Sequence, residues 1–350
     1  MEIPTKAKQW ILREKPRGEP ILQRDNPTFQ LREVPLPALT KGQLLLRILY
    51  FGNDPAQRNF ISPAIPPERH YTTPAQVGDV MRATGIAEVL LSECPDVPAG
   101  SLVVGETGWA DYAVADAAGF TVVKDLEGGS SVTHFLGALG ISGFTAYYGL
   151  TQVVKAGRED AVVVSGAAGS VGMMAVQVAK KMIGCRKVIG IAGTDEKCRR
   201  VEKLGADICL NYKSASFREQ MIKETDGFVE IYFDNVGGEI LDFMLTRMAK
   251  FGRVAVCGSI SNYNREDAVG IKNFMDVIAM RIQIQGIIMA DWIENLPMVA
   301  GILIDERKKG NIVIDGDCET VVETAFEDVP RTWMMLFSGG NTGKLITKLV

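Results

Sequence analysis

The chain has 350 residues, enough for about two domains, and its 47% hydrophobic and 23% charged residues exclude disordered and fibrous classes. A net charge of −4 without long single-sign runs argues against a nucleic-acid binder. Two histidines and six cysteines, with no C-x-x-C, exclude a disulfide scaffold and a zinc finger or ribbon.

The opening MEIPTKAKQW has no apolar core of signal-peptide type, and scattered free cysteines suit a reducing compartment, so a cytoplasmic protein is expected. Residues 1–125 read as mostly β. Short apolar runs at 43–50 (QLLLRILY), 85–91 (GIAEVLL) and 101–104 are separated by Pro, Gly and Asn. The proline-rich stretch 53–74 is too long for a simple turn and reads as a functional loop or lid. From about residue 130 the pattern changes. Residues 132–154 read as helices, and 161–164 is a β-branched strand leading to a helix over 171–183. Strands at 187–191, 206–210, 229–234 and 253–258 alternate with helices at 196–204 and 217–224. This β-α-β-α series implies a parallel sheet covered on both faces. The tail from about Asn311 returns to β-like runs. Residues 161–179 carry no charge, but Gly166, Gly169 and Gly172 interrupt them. A buried strand, turn and helix explain them better than a membrane span.

The sharpest motif is AVVVSGAAGSVG, residues 161–172. The dinucleotide fingerprint asks for glycine at three positions, here Ala167, Gly169 and Gly172. Gly169 would let backbone approach a pyrophosphate, and Gly172 would let the helix lie on the strand. The amides of Gly169, Ser170, Val171 and Gly172 open the helix, whose N-terminus attracts phosphate. The competing reading is strand–helix packing without a ligand. No acid ends the second strand at IGIAG, residues 189–193, where an NAD site would carry one. Lys197 is therefore either a 2′-phosphate ligand or a solvated helix residue.

Further motifs carry a resemblance over nearly the whole chain. They are GDVMRATGIAEV (78–89), WADYAV (109–114), LGISGFTAYYGL (139–150), GIAGTDEKCRRVEKLGADICLNYK (190–213), YFDNVGG (232–238), CGSISNYN (257–264) and NTGKLITK (341–348). In these the chain resembles the alkenal double-bond reductases, which include the prostaglandin reductases. That group is a zinc-free branch of the medium-chain dehydrogenase/reductase superfamily. The resemblance implies an α/β fold with two parts. One is a β-rich, chaperonin-10-like barrel over 1–130 and 310–350, and the other a doubly wound Rossmann domain over 131–309. It also implies NADPH as cofactor, homodimers, and reduction of the carbon–carbon double bond of α,β-unsaturated aldehydes or ketones.

The resemblance assigns roles residue by residue. Gly169 to Gly172 match the phosphate turn, and Lys197 and Tyr212 match residues that hold the 2′-phosphate. Asn235 and Asn341 match cofactor contacts. The loop Cys257, Gly258, Ser259, Ile260, Ser261, Asn262 and Tyr263 matches one beside the nicotinamide ribose. Ile287, Ile288 and Met289 match a backbone stretch beside the nicotinamide. Read alone, Tyr212 would be a surface aromatic and the two asparagines turn residues. Tyr263 is the candidate catalytic donor to the enolate oxygen, its competing role being loop packing. Asp54, Ala56 and Tyr71 are candidate substrate-pocket residues; Tyr71 and Tyr112 are the weaker ones, their competing role being structural. The family usually carries tyrosine after the Asp-Pro of its first-domain loop, where this chain has Ala56, which leaves the substrate class open. His70, His134 and Cys94, Cys185, Cys198, Cys209 and Cys318 read as non-catalytic. A quinone reductase of the same superfamily and a largely non-catalytic NADPH-binding protein are the rival readings.

Overall fold

The computed structural model describes residues 3–23, 27–123, 131–268 and 270–350. The chain divides into two compact units. The first comprises Met1–Leu136, Thr320–Gly340 and Lys344–Val350, and the second Gly137–Glu319 and Asn341–Gly343. The expected boundaries were 130/131 and 309/310, and the tail was expected to belong wholly to the first unit. Here residues 131–136 go with the first, and residues 310–319 and the tripeptide 341–343 with the second.

In chain order the first unit carries β1 (Lys6–Leu12), β2 (Phe29–Pro35), β3 (Gln43–Asn53) and a one-turn helix α1 (Gln57–Phe60). It continues with β4 (Thr84–Ser92), β5 (Leu102–Glu106), β6 (Tyr112–Asp116) and β7 (Phe120–Val122). The second unit carries α2 (Ile141–Tyr148), β8 (Ala161–Val164), α3 (Ser170–Gln177), β9 (Lys187–Ala192), α4 (Asp195–Leu204), β10 (Ile208–Asn211) and α5 (Phe217–Glu224). It goes on through β11 (Val229–Asp234), α6 (Gly238–Leu245), β12 (Met248–Val256), α7 (Phe274–Met280), β13 (Gln283–Gly286) and α8 (Leu296–Lys308). The chain returns to the first unit with β14 (Glu319–Thr324), α9 (Val329–Ser338) and β15 (Lys344–Leu349).

In the first unit a seven-stranded sheet runs β14-β15-β3-β4-β5-β7, with β6 also paired to β3. The tail strand β15 pairs antiparallel with β3, Leu345 opposite Asn53. The core holds an aromatic trio of Phe29, Trp109 and Trp333, each 0–2% exposed, with ring centroids 5.1–6.0 Å apart and edge-on. Edge-to-face pairs add to the area term that large buried rings already supply.

The second unit is built on a six-stranded parallel sheet of order β10-β9-β8-β11-β12-β13. Numbered within the sheet this is 3-2-1-4-5-6, the doubly wound Rossmann order. β8 reads AVVV and is buried at every position, as a strand covered on both faces must be. The sheet order reverses between β8 and β11, and ligands of such sheets bind beyond the carboxyl ends near that point. The fold class is the one the resemblance implied. The uncharged stretch 161–179 is β8, a turn and α3. Among the described residues no helix is long and apolar enough to cross a membrane.

Candidate active site

The turn after β8 takes its shape from a glycine outside the fingerprint. Gly166 has φ +58°, the left-handed region that side chains resist. Ala167 then bonds its N–H to Ile191 O at 2.9 Å and is fully buried. The neighbouring strand makes room for its methyl group, because a Cβ on Gly190 would stand 3.2 Å from Ala167 Cβ. This is why alanine is tolerated at the first fingerprint position. Gly172 keeps the role expected of it: a Cβ there would meet Gly166 O at 2.2 Å. Among the described residues no side chain caps α3, so the amides opening it, at Ser170, Val171 and Gly172, face outward from Gly169 without a side-chain acceptor. Gly343 bonds its N–H to Ala168 O at 2.8 Å and bridges Gly169, which lays the tripeptide 341–343 along this turn. Asn341 Nδ2 donates to Gly343 O at 2.8 Å, a bond within its own loop.

Beyond β9 and β10 lies a cationic corner. Thr194 caps α4 by accepting the Lys197 N–H at 3.2 Å. The Tyr212 ring lies over Gly193, where a Cβ would be 3.1 Å from the ring edge. Lys213 stands 5.8 Å over the Tyr212 ring, and its charge reaches Lys197. Burial and then Lys213 hold the Lys197 ammonium below the usual lysine range. The nearby acids are engaged, Asp195 by Asn211 Nδ2 at 2.8 Å and Glu196 by Arg200 at 3.1 Å. Lys197, half-buried, and the exposed Lys213 are close enough to repel each other, which favours an anion between them. These features fit NADPH: helix amides for the pyrophosphate, and two lysines with a tyrosine for a 2′-phosphate.

At the reversal point Ser165 and Asp234 join β8 to β11. Ser165 Oγ donates to Asp234 Oδ1 at 2.9 Å, and Tyr232 Oη donates to the same oxygen at 2.9 Å. The amides of Val236 and Gly237 add two more bonds. Burial pushes the Asp234 carboxyl up, against these donors. Asn235 is tied down too, its N–H to Ser165 Oγ and its Nδ2 to Ser165 O at 2.7 Å.

The loop after β12 packs on this turn. Cys257 and Gly258 bond their N–H groups to Asp234 O. Ser261 Oγ donates to Val236 O at 2.7 Å, and Asn262 Nδ2 to Ser259 Oγ at 3.0 Å. Ile260 N–H reaches Asn235 O at 3.5 Å. Gly237 and Gly238 have positive φ, and a Cβ on them would meet Ser259 Oγ at 2.3 Å and Ser261 Oγ at 2.7 Å. The Ser259 N–H donates to Tyr263 Oη at 3.1 Å. The Cys257 thiol is pushed up to about 12 by burial and by Asp234, so it is protonated at neutral pH. Ile287, whose N–H bonds Val256 O at 3.0 Å, starts the stretch with Ile288 and Met289 after β13.

In the first unit Asp54 pairs with Lys344, which is 3% exposed, and its carbonyl accepts from Trp333 Nε1 at 3.2 Å. Ala56 is half-buried at the start of α1. Tyr71 is exposed, with its ring edge-on to Phe60 at 5.7 Å. Tyr112 is half-buried on β6, and His134 is buried. Sequence reading missed Ser165, Lys213, Asp234 and Lys344. Lys213 and Lys344 had one signal each, a cation beside a named tyrosine and a cation within an apolar strand.

A family model described as the N-terminal domain of oxidoreductase matches residues 8–123, and one described as zinc-binding dehydrogenase matches 170–303. The chain is 34% identical to prostaglandin reductase 1 of Bos taurus, covering 98% of this chain and 99% of that one. It is 32% identical to the NADPH-dependent curcumin reductase of Escherichia coli strain K12, covering 98% and 96%. The chain belongs to the prostaglandin reductase family of the medium-chain dehydrogenases/reductases. A solved family structure, CurA from Vibrio vulnificus in complex with NADPH, superposes with a TM-score of 0.86 at 30% identity, covering 98% of this chain and 99% of that one. Within the second unit, the residues that the family resemblance assigns to the cofactor follow the carboxyl ends of all six parallel strands or lie on the 341–343 tripeptide.

Proposed function

We propose that the protein is an NADPH-dependent reductase of the carbon–carbon double bond of α,β-unsaturated aldehydes or ketones. The observation that carries the cofactor choice is the cationic corner of Lys197, Tyr212 and Lys213. NADPH, when bound, supplies the hydride that reaches the β-carbon of the enone. Negative charge then grows on the carbonyl oxygen, and the chain must place a donor there. Tyr263 is that donor. Its oxygen accepts the Ser259 N–H, and a hydroxyl that accepts a hydrogen bond donates its own proton more strongly. Tyr263 stabilises the enolate, and a proton then reaches the α-carbon from it or from water. Asp54, Ala56 and Tyr71 are the first unit's candidate substrate residues.

The protein forms a homodimer in this reading. β13 is an edge strand exposed at all four positions, and Phe251, Phe274, Met275 and Ile278 beside it are 55–70% exposed. An unprotected edge with an apolar border is a pairing surface. Ile278→Lys should convert the dimer to a monomer in sedimentation.

The test is NADPH oxidation against a panel of alkenals, bulkier enones and quinones. Turnover of the unsaturated carbonyls supports the reading. Turnover of quinones alone favours the rival reductase, and no turnover favours an NADPH-binding protein.

A further inference from the structure

The proline-rich stretch after α1 forms an Ω-loop over residues 61–74, and the Ala75 N–H closes its neck on Phe60 O at 3.0 Å. Ile61 and Ala75 anchor the neck in the core at 0% and 3% exposure, yet none of residues 62–73 is buried. Burial therefore does little to fix the loop, and Arg82 reaches across to it. Arg82 lies between the buried Met81 and Ala83, just before β4, so its backbone is held. Its Nη1 donates to Thr72 Oγ1 at 2.9 Å and to Thr73 O at 3.0 Å. Its Nε and Nη2 donate to the two carboxylate oxygens of Glu106 at 3.3 Å and 3.2 Å. Glu106 ends β5 in register with Thr84 of β4. The guanidinium carbon lies 5.0 Å over the Phe60 ring, which is itself edge-on to Tyr71. The Arg82 carbonyl accepts from Gln57 Nε2 at 2.6 Å, and Gln57 Oε1 accepts the Asp54 N–H at 2.8 Å.

We infer that Arg82 is a specificity-determining positioning residue, which fixes the 61–74 loop and its Tyr71 against α1 and Ala56 and so sets how tightly a large enone binds. One side chain holds the loop through Thr72 and Thr73 and packs on α1 through Phe60, while Glu106 fixes its fork from the neighbouring strand. Gln57 ties the main chain of the same residue to the turn that carries Asp54 and Ala56. The candidate substrate residues before α1 and in the loop are thereby set relative to one guanidinium. The geometry calls for arginine. Its planar fork gives Nε and Nη2 to a carboxylate while Nη1 still reaches two other acceptors, and its flat face stacks on a ring. A lysine offers one point charge and no such fork.

The ion pair of Arg82 with Glu106 is 29% and 51% exposed and adds little stability by itself, so the loop can be loosened without unfolding the core. Arg82 supplies no proton in the proposed reaction and therefore acts on binding, not on hydride transfer. A substrate long enough to reach the loop should feel its position, and a short alkenal should not. This consequence rests on the proposed function, in which Ala56 and Tyr71 are substrate residues, whereas the hold on the loop does not.

The experiment compares full-length Arg82→Lys with the wild type in steady-state kinetics and in brief trypsin digestion, where cleavage after Arg69 reports on the loop. That cleavage should become about tenfold faster. The KM for a bulky, branched enone should rise about tenfold, with kcat, the KM for a short alkenal and the KM for NADPH each within about twofold. If that variant does not fold, Thr72→Val removes one acceptor at nearly constant shape and should move the same two readouts the same way by less. Unchanged cleavage would overturn the hold on the loop. Faster cleavage with an unchanged KM for the bulky enone would overturn the link to substrate. Parallel losses in kcat and in all three KM values would show a role in the fold alone and overturn the positioning role. Failure of the enone reading is separate, because the wild type would then turn over no enone while the tryptic result stands.

Discussion

The main-chain N–H of Ser259 donates to the hydroxyl oxygen of Tyr263 at 3.1 Å. Gly258 makes this approach possible, since its absent Cβ would stand 3.1 Å from the same oxygen. The phenol is therefore fixed by the backbone of its own loop. A donor held in place before reaction loses nothing to reorganisation when charge develops. Tyr263→Phe should lower kcat by about 10²-fold, the usual loss for one such donor, and leave the KM for NADPH nearly unchanged. Steady-state kinetics with one enone and both cofactor concentrations varied separates the two effects. An unchanged kcat would remove Tyr263 from the chemistry.

Lys197 and Lys213 should both contribute to cofactor choice. Either lysine changed to alanine should raise the KM for NADPH by about 1.5–3 kcal/mol of lost binding and barely move that for NADH. The double variant should fall short of additivity, because the two cations answer one phosphate. Equal losses with both cofactors would show that these lysines serve the fold and not the phosphate.

Ala56 is a candidate for setting the size of substrate. The family resemblance puts a tyrosine at this position, so with a methyl group here bulky or branched enones should be accepted better than short alkenals. Ala56→Tyr should reverse that order of kcat/KM. An unaltered profile would mean that position 56 does not touch substrate.

Catalysis should not need a metal. The chain has two histidines, and among the described residues no group of three or more His, Cys, Asp or Glu is placed to hold an ion. Exhaustive chelation should leave activity intact. Stoichiometric zinc in active protein would contradict this.

Asp54 should matter to stability as well as to the pocket. Its partner Lys344 is 3% exposed, and a buried cation that loses its counter-ion is costly. Asp54 itself is 43% exposed, so water offsets part of that cost. Asp54→Ala should lower stability by about 1–3 kcal/mol in denaturant unfolding, and Lys344→Met by less. The reverse order would show that the ion pair is not what holds the tail strand here.

The Rossmann order was legible because β-branched runs and glycine turns recur at the right spacing, and because the motifs stand in order along nearly the whole chain. The glycine turn was legible in part. Its fingerprint positions pointed to Gly169 and Gly172, whereas the left-handed residue is Gly166 and the room for Ala167 comes from Gly190 on another strand. That compensation is tertiary and has no local signal. β12 starts at Met248, several residues before the expected strand, because the ladder continues past a left-handed Phe251 that reads locally as a turn. Helix α2 runs on past Gly149, where glycine is kept by the Phe233 ring, 2.6 Å from where its Cβ would be. Lys213 is barely legible, because a lysine after a strand is usually a solvated residue and its place over Tyr212 and near Lys197 is tertiary.

The most direct test uses NADPH carrying deuterium at the transferable C4 position, with a bulky α,β-unsaturated ketone as substrate. The product is analysed by NMR and mass spectrometry. The account predicts a saturated ketone with one deuterium on the former β-carbon. An allylic alcohol with deuterium on the carbonyl carbon would contradict it, as would cofactor oxidation that leaves the double bond intact.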